Sequence, residues 1–109
     1  MHPDDSQLQV PPSFAALHTR AGRLTLRREE LFARYDLCED LANHLVDFAK
    51  SIHYDLGVAE DEVLARCRRG LLEEPAQVSE AEAGWIEGRL AELLGWPCAA
   101  ASDDAGDPA

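Results

Sequence analysis

The chain has 109 residues, 46% of them hydrophobic, and carries 21 acids against 10 bases for a net charge of −11. That length holds one domain, and no apolar run reaches the ~18 to 20 residues a membrane span needs. The charge sets aside a general nucleic-acid or anionic-membrane binder, which must neutralise phosphate, and points to a basic protein partner.

The opening MHPDDSQLQ has neither the charged n-region nor the apolar h-region of a signal peptide, so the expectation is a cytoplasmic protein. Residues 1–12 read as a disordered arm, because Pro11 and Pro12 remove amide donors and push the preceding residue out of the helical region. Ser13 to Leu17 then suits one helical turn, with Phe14 and Leu17 as i,i+3 partners that dock as a latch. Ala21-Gly22-Arg23 reads as a turn. Around it, Arg20, Arg23, Arg27, Arg28 and Arg34 supply half of all the bases. Without an aromatic platform or a glycine nest they read as a solvated arm and not as a phosphate contact.

From Arg27 the pattern becomes strong. Leu31, Tyr35, Cys38, Ala42, Leu45, Ala49, Ile52 and Leu56 alternate at spacings of four and three, which predicts a long amphipathic helix to about Leu56. Thr25 is the expected N-cap, Glu29 and Glu30 fall in the favourable first turn, and Gly57 suits the left-handed position that ends a helix. Leu37, Leu41 and Phe48 flank the seam on one side and Phe32 and Val46 on the other, so the helix needs more than one neighbour. A second helix is expected over Glu60 to Arg69, with Val63, Leu64, Cys67 and Leu71 on its apolar face. Its acidic start and its Arg66, Arg68 and Arg69 complement the helix dipole, and Gly70 is placed to stop it. Ser79 and Glu82 form an S-x-x-E capping box for a third helix that runs to Leu94, where Gly95 and Pro97 end it. Residues 98–109 read as a disordered acidic tail. The expected fold is therefore all-α, a small three-helix bundle around one long helix, with residues 13–97 as the helical domain and flexible termini.

Two surfaces stand out as candidate partner-binding sites. On the long helix Glu29, Asp36, Asp40 and Asp47 line up opposite the seam, with Asn43 and His44 beside them. This acidic stripe fits arginine or lysine side chains. As metal ligands Asp40, His44 and Asp47 would make an open, unselective set, one histidine and two carboxylates on a single exposed helix, and no metal is expected. On the third helix Ala83, Ile86, Leu90, Leu93 and Leu94 make the core face, while Ala81, Gly84, Gly88 and Ala91 form a small-residue strip roughly opposite. Mid-helix glycines cost ~0.5 to 1 kcal/mol each relative to alanine, so a close approach of a backbone or ligand is expected to compensate. Trp85 borders that strip and Trp96 follows the helix end, giving Gly84, Trp85, Gly88 and Trp96 as a second protein-contact patch. His53, near the seam edge, reads as a packed histidine, whereas His2 and His18 lie in flexible segments.

Catalytic templates are absent. There is no G-x-x-x-x-G-K-[ST] loop, no G-x-G-x-x-G, no H-E-x-x-H and no G-x-S-x-G. Cys38 and His44 fall on different helix faces, and the abundant carboxylates look exposed, so no pKa is tuned selectively. Cys38, Cys67 and Cys98, at spacings of 29 and 31, match neither a zinc motif nor a disulfide framework and read as reduced thiols, the first two buried. No catalytic residue and no cofactor are expected.

The stretch Arg34-Tyr35-Asp36-Leu37-Cys38-Glu39-Asp40-Leu41-Ala42, the later Glu62 to Arg66 with Gly70-Leu71, the ending Arg89 to Trp96 and the Pro12-Ser13-Phe14 opening resemble a group of short acidic bacterial proteins labelled "ATPase with chaperone activity". The resemblance spans about residues 10 to 97. It implies a bacterial cytoplasmic origin and, since no residues here build an ATP site, association with an ATPase at most. The expected function is a non-enzymatic adaptor or regulatory protein that binds a basic protein partner; the alternative is a chaperone-like or ATPase-associated accessory factor that holds apolar clients. Thirty helical residues span ~45 Å against the ~34 Å diameter of a compact chain of this length. Either the helix bends or breaks near Ser51 to Tyr54, or two chains pair along the seam, and a homodimer is the preferred expectation.

Overall fold

The computed structural model describes residues 10–97. The expected terminal arm and tail, with His2 and Cys98, therefore lie almost wholly outside the described residues. The fold is all-α with one tiny hairpin. In chain order it comprises α1 (Pro12–Ala15), a 3₁₀ turn (Ala16–His18), β1 (Thr19–Arg20), β2 (Arg23–Leu24), α2 (Arg28–Leu56), α3 (Glu60–Leu71) and α4 (Glu80–Leu94). The chain divides into two units at Leu37/Cys38.

In the first unit, proline starts the helix it was expected to precede. Pro12 occupies the first helical position, where its missing amide costs nothing, and the Pro11 carbonyl accepts from the amides of Phe14 and Ala15 at 3.0 Å. Phe14 is fully buried, its ring 5.5 Å from His18 and edge-on to Tyr35 at 5.7 Å. Leu17, its expected latch partner, is half-buried. The turn at Ala21 closes a two-residue hairpin that pairs Thr19 with Leu24 and Arg20 with Arg23. Ala21 and Gly22 both take left-handed conformations, φ 55° and 80°, as a turn matched to strand twist requires. Side chains tie the hairpin down: Thr19 Oγ1 donates to the Ala15 carbonyl at 2.7 Å, and the Thr25 amide and hydroxyl both donate to the His18 carbonyl, at 2.7 and 3.0 Å.

That last contact corrects the expected cap. Thr25 is committed to the hairpin, and Glu30 caps α2 instead, its Oε1 accepting the Arg27 amide at 3.1 Å while the Arg27 guanidinium lies 3.5 Å from Oε2.

In the second unit α2, α3 and α4 build the core. Ala49 and Ile52 from α2, Val63, Leu64 and Cys67 from α3, and Leu90 and Ala91 from α4 form one buried cluster, with Leu45, Val46, Val58, Leu94 and Trp96 packed against it. Each of the larger side chains contributes ~1.5 to 3 kcal/mol on burial. Cys38 and Cys67 are buried and unbridged.

The α2 seam is buried at Leu31, Cys38, Ala42, Ala49 and Ile52 but only half-buried at Tyr35 and Leu45. It stops there. Leu56, the expected last seam position, is 71% exposed, because α2 continues unbroken one turn past Ile52 before Gly57, at φ 72°, ends it. The helix does not break near Ser51 to Tyr54.

Two further corrections concern small residues. Gly70 does not stop α3, which runs on to Leu71; Gly70 has no positive φ, and half-buried Leu71 and Leu72 draw the chain inward. Ala91, placed on the small-residue strip, is buried in the core, whereas Leu93 and Leu94 are only half-buried. At the start of α4 the capping box is complete, with Ser79 Oγ accepting the Glu82 amide at 3.1 Å and Glu82 Oε1 accepting the Ser79 amide at 3.0 Å. At its end Gly95 takes φ 75° and the Trp96 amide returns to the Ala91 carbonyl at 2.9 Å.

Candidate interaction surfaces

Helical geometry sorts the acids of α2 by role. Buried Cys38, Ala42, Ala49 and Ile52 define its inner face in the second unit. Asp40 and Asp47 lie half a turn round from them and are exposed, as are Asn43 and His44. His44 Nδ1 stands 3.8 Å from Asp40, both groups largely in water. Tyr54, a further seven residues along, is 70% exposed, so carboxylate, carboxylate and phenol follow one another at heptad spacing along a single outer ridge. Tyr54 is not among the residues expected at this site, although its seven-residue step from Asp47 is legible in the sequence. In the first unit Asp36 and Glu29 are also exposed.

Glu39 neighbours the ridge in sequence but is bonded within the protein. Its two oxygens accept from Arg89 Nε and Nη2, each at 2.8 Å, a bidentate bond that clamps α4 to α2. Those bonds hold the Glu39 carboxyl below the usual carboxylate range and raise Arg89. Arg89 also donates to Glu92 at 3.0 Å. On α3, Glu62 accepts from Arg66 and Arg69 at 3.1 Å, which lowers its pKa too. These acids are already engaged by arginine; Asp40 and Asp47 are offered to solvent.

The α4 patch is less open than its composition implies. Gly84 and Gly88 are half-buried, and no backbone approaches either of them. A Cβ at Gly84 would meet only the Arg68 guanidinium, 4.0 Å away, and at Gly88 it would meet nothing within 4 Å. Trp85 is half-buried. Trp96 is engaged inside the protein, packed on the core with its ring 4.9 Å from His53. His53 is the packed histidine its position implies: Nδ1 lies 2.7 Å from the Val58 carbonyl, Nε2 is 3.9 Å from Glu60, and Tyr54 stacks edge-on at 4.6 Å.

One titratable cluster is invisible in the sequence. Glu87 is buried beside Cys67, and burial raises its pKa even though Arg68 sits 3.7 Å away. Burial, with the Glu87 charge next, pushes the Cys67 thiol up to about 11, so it holds its proton at neutral pH and is a poor nucleophile. Among the described residues no three His, Cys, Asp or Glu side chains converge to hold a metal, and Asp40, His44 and Asp47 stand as separate surface groups. No helix among those residues is long and apolar enough to cross a membrane. Comparison with family models, curated proteins and solved structures gave no match.

Proposed function

We propose that this protein is a non-enzymatic adaptor or regulator that binds a basic protein partner along the outer ridge of α2. The observation that carries the reading is the exposure of Asp40 and Asp47 in line with Tyr54, on the face turned away from the core, in a chain of net charge −11. Carboxylates offered to solvent accept guanidinium or ammonium donors, and an exposed aromatic ring adds a stacking face for arginine. Asp36 and the Trp85 patch with Gly84 and Gly88 are secondary candidates; Trp96 contributes by holding the helix end. In this reading the resemblance to ATPase-labelled bacterial proteins corresponds to docking on a cytoplasmic machine and not to ATP turnover.

The test is crosslinking and affinity capture with the full chain at physiological salt, using wild type and Asp40→Lys/Asp47→Lys. A basic protein captured by wild type and lost from the double variant supports the reading; a capture pattern indifferent to the substitutions removes it. Exposed Phe48, 52% accessible, and Leu56 favour a second reading, a holder of apolar clients. It predicts that the native protein binds hydrophobic dyes and suppresses aggregation of an unfolded client, with Phe48→Ser reducing both.

A further inference from the structure

The hairpin of the first unit is the chain's concentrated basic feature. Residues 10–28 contain four arginines and no carboxylate. Arg20 and Arg23 occupy directly paired positions across the two-residue hairpin, their Cα atoms ~5.5 Å apart in such a pair, and both are exposed. Like charges placed opposite one another on a ladder are destabilising, and here no ion pair among the described residues relieves either of them. The turn between them holds Ala21 in the left-handed region, φ 55°, a conformation unfavourable for a residue with a Cβ. Three side-chain and backbone bonds from Thr19 and Thr25 nonetheless fix this arrangement. A strained turn and two unrelieved charges on a pinned scaffold are what a preorganised anion-binding surface looks like.

The complementary surface is in the same sequence. Residues 38–109 hold sixteen acids and five bases, which accounts for the whole net charge, while residues 1–37 hold five of each. We propose that the occupant of the arginine hairpin is a second copy of this chain: Arg20 and Arg23 of one molecule dock on Asp40, Asp47 and Tyr54 of the next. The two aspartates are two helical turns apart, ~10 Å, a separation that a pair of long guanidinium stems side by side can bracket. The inference rests on the ridge reading above and replaces a basic protein with the basic segment of a second, otherwise acidic, copy of this chain.

Each chain has one hairpin and one ridge, so the contact either pairs two chains reciprocally or continues head-to-tail from chain to chain. Salt decides between local attraction and overall repulsion. At ~0.1 M the screening length is ~10 Å, so charges in direct contact still attract while the rest of the two acidic bodies is largely screened; at ~1 M it falls to ~3 Å and the contact weakens as well.

Sedimentation and light scattering of the full chain test this. Wild type at ~0.1 M salt is expected above the 12.0 kDa chain mass and to return to it at ~1 M. Arg20→Glu/Arg23→Glu and Asp40→Lys/Asp47→Lys are each expected at the chain mass, because each lacks one half of the contact. Mixed one to one, the intact ridge of the first meets the intact hairpin of the second, and the reversed hairpin and ridge are again opposite in charge, so the mixture is expected to assemble above the chain mass although neither variant does alone. All four positions are exposed, and the circular dichroism of each variant checks that it is folded. A wild type at the chain mass under every salt condition overturns the inference, as does failure of the mixture to pair. If such a monomer still captures a basic protein through Asp40 and Asp47, the inference falls and the ridge reading stands. A monomer that instead binds duplex DNA or a glutamate-rich peptide through Arg20 and Arg23 gives the hairpin a different occupant and likewise overturns the self-docking assignment.

Discussion

The two units of this chain reach order by different means. Residues 38–97 do so by volume: three helices pool Ala49, Ile52, Val63, Leu64, Cys67, Leu90 and Ala91 into one cluster, and the charges stay outside it except at Glu82 and Glu87. Residues 10–37 have only Phe14 and Leu31 buried among their large side chains and rely on hydrogen bonds that close short loops, from Thr19 to Ala15 and from Thr25 to His18. A region held by local bonds tolerates unrelieved surface charge and a strained turn where a packed core would not tolerate a gap. Exposed charge therefore sits in the first unit and on the outer ridge of α2, while the interior of the second is apolar.

The sharpest way to break that comparison is to cut one side chain from each unit. Leu64→Ala removes a side chain that is almost wholly buried and is expected to cost ~2 to 5 kcal/mol in denaturant unfolding followed by circular dichroism. Phe14→Ala is expected to act locally: in hydrogen exchange the Thr25 amide loses protection while the amides of α3 keep theirs. Equal loss in α3 would show that the units do not open separately.

The Arg89–Glu39 clamp tests how much the second unit owes to a polar contact. Arg89→Ala is expected to cost ~1 to 3 kcal/mol at neutral pH, since two charge-assisted bonds are lost and Glu39 is left half-buried. The pH sign follows from Glu39, whose folded-state pKa lies below its ordinary 4.5. The stabilisation is fully present above the unfolded value and is lost as pH falls through the lower folded one, so wild type and variant converge in acid. A gap unchanged between pH 7 and pH 3 would assign the loss to packing of the arginine stem.

Sequence patterning reveals most of the second unit and, in the first, the helical turn at Phe14 and the turn at Ala21-Gly22 but not the strands that flank it, for physical reasons. Ser79 with Glu82, Gly95 and Gly57 are local signals whose partners lie within one turn, and each does what its spacing implies. The seam through Cys38, Ala42, Ala49 and Ile52 is legible because burial repeats with the helix. Thr25 is ambiguous because a hydroxyl serves a helix cap or a turn equally well, and the choice is made by the His18 carbonyl seven residues away. Strands of two residues are too short to show a period. Ala91 is hard to place because a small side chain carries no hydrophobic signal strong enough to say which way it faces. At the candidate site, exposure of Asp40 and Asp47 follows from their position opposite the seam, whereas the burial of Glu87 depends on α3 lying across it, which no spacing within α4 encodes.

Glu87 supplies a prediction opposite in sign to the clamp. Its pKa is raised, so the stability it contributes is complete below the unfolded value near 4.5 and drains away as pH rises through the raised folded value. Glu87→Gln removes the buried charge and is expected to stabilise by ~1 kcal/mol at pH 7, the low end of the penalty for an incompletely partnered buried group, with no gain at pH 3. Loss of stability at pH 7 would instead show that the 3.7 Å contact to Arg68 outweighs the cost of burying the carboxylate.

The smallest effect separates structural from functional use of α4. Gly88 sits mid-helix, and beyond its own turn of helix a methyl group there would meet no described atom within 4 Å. Gly88→Ala is therefore expected to raise stability by ~0.5 to 1 kcal/mol through helix propensity alone. Since the folded chain does not need the space, the comparison with Gly84, over which the Arg68 guanidinium lies, becomes informative. Gly84→Ala is expected to gain slightly less, because its methyl comes into ordinary contact with the arginine and narrows the freedom of that side chain. If Gly88→Ala stabilises the isolated protein yet weakens capture of a partner, the surface above Gly88 is a contact surface; if capture is untouched, the helix-weakening glycine has no role in recognition.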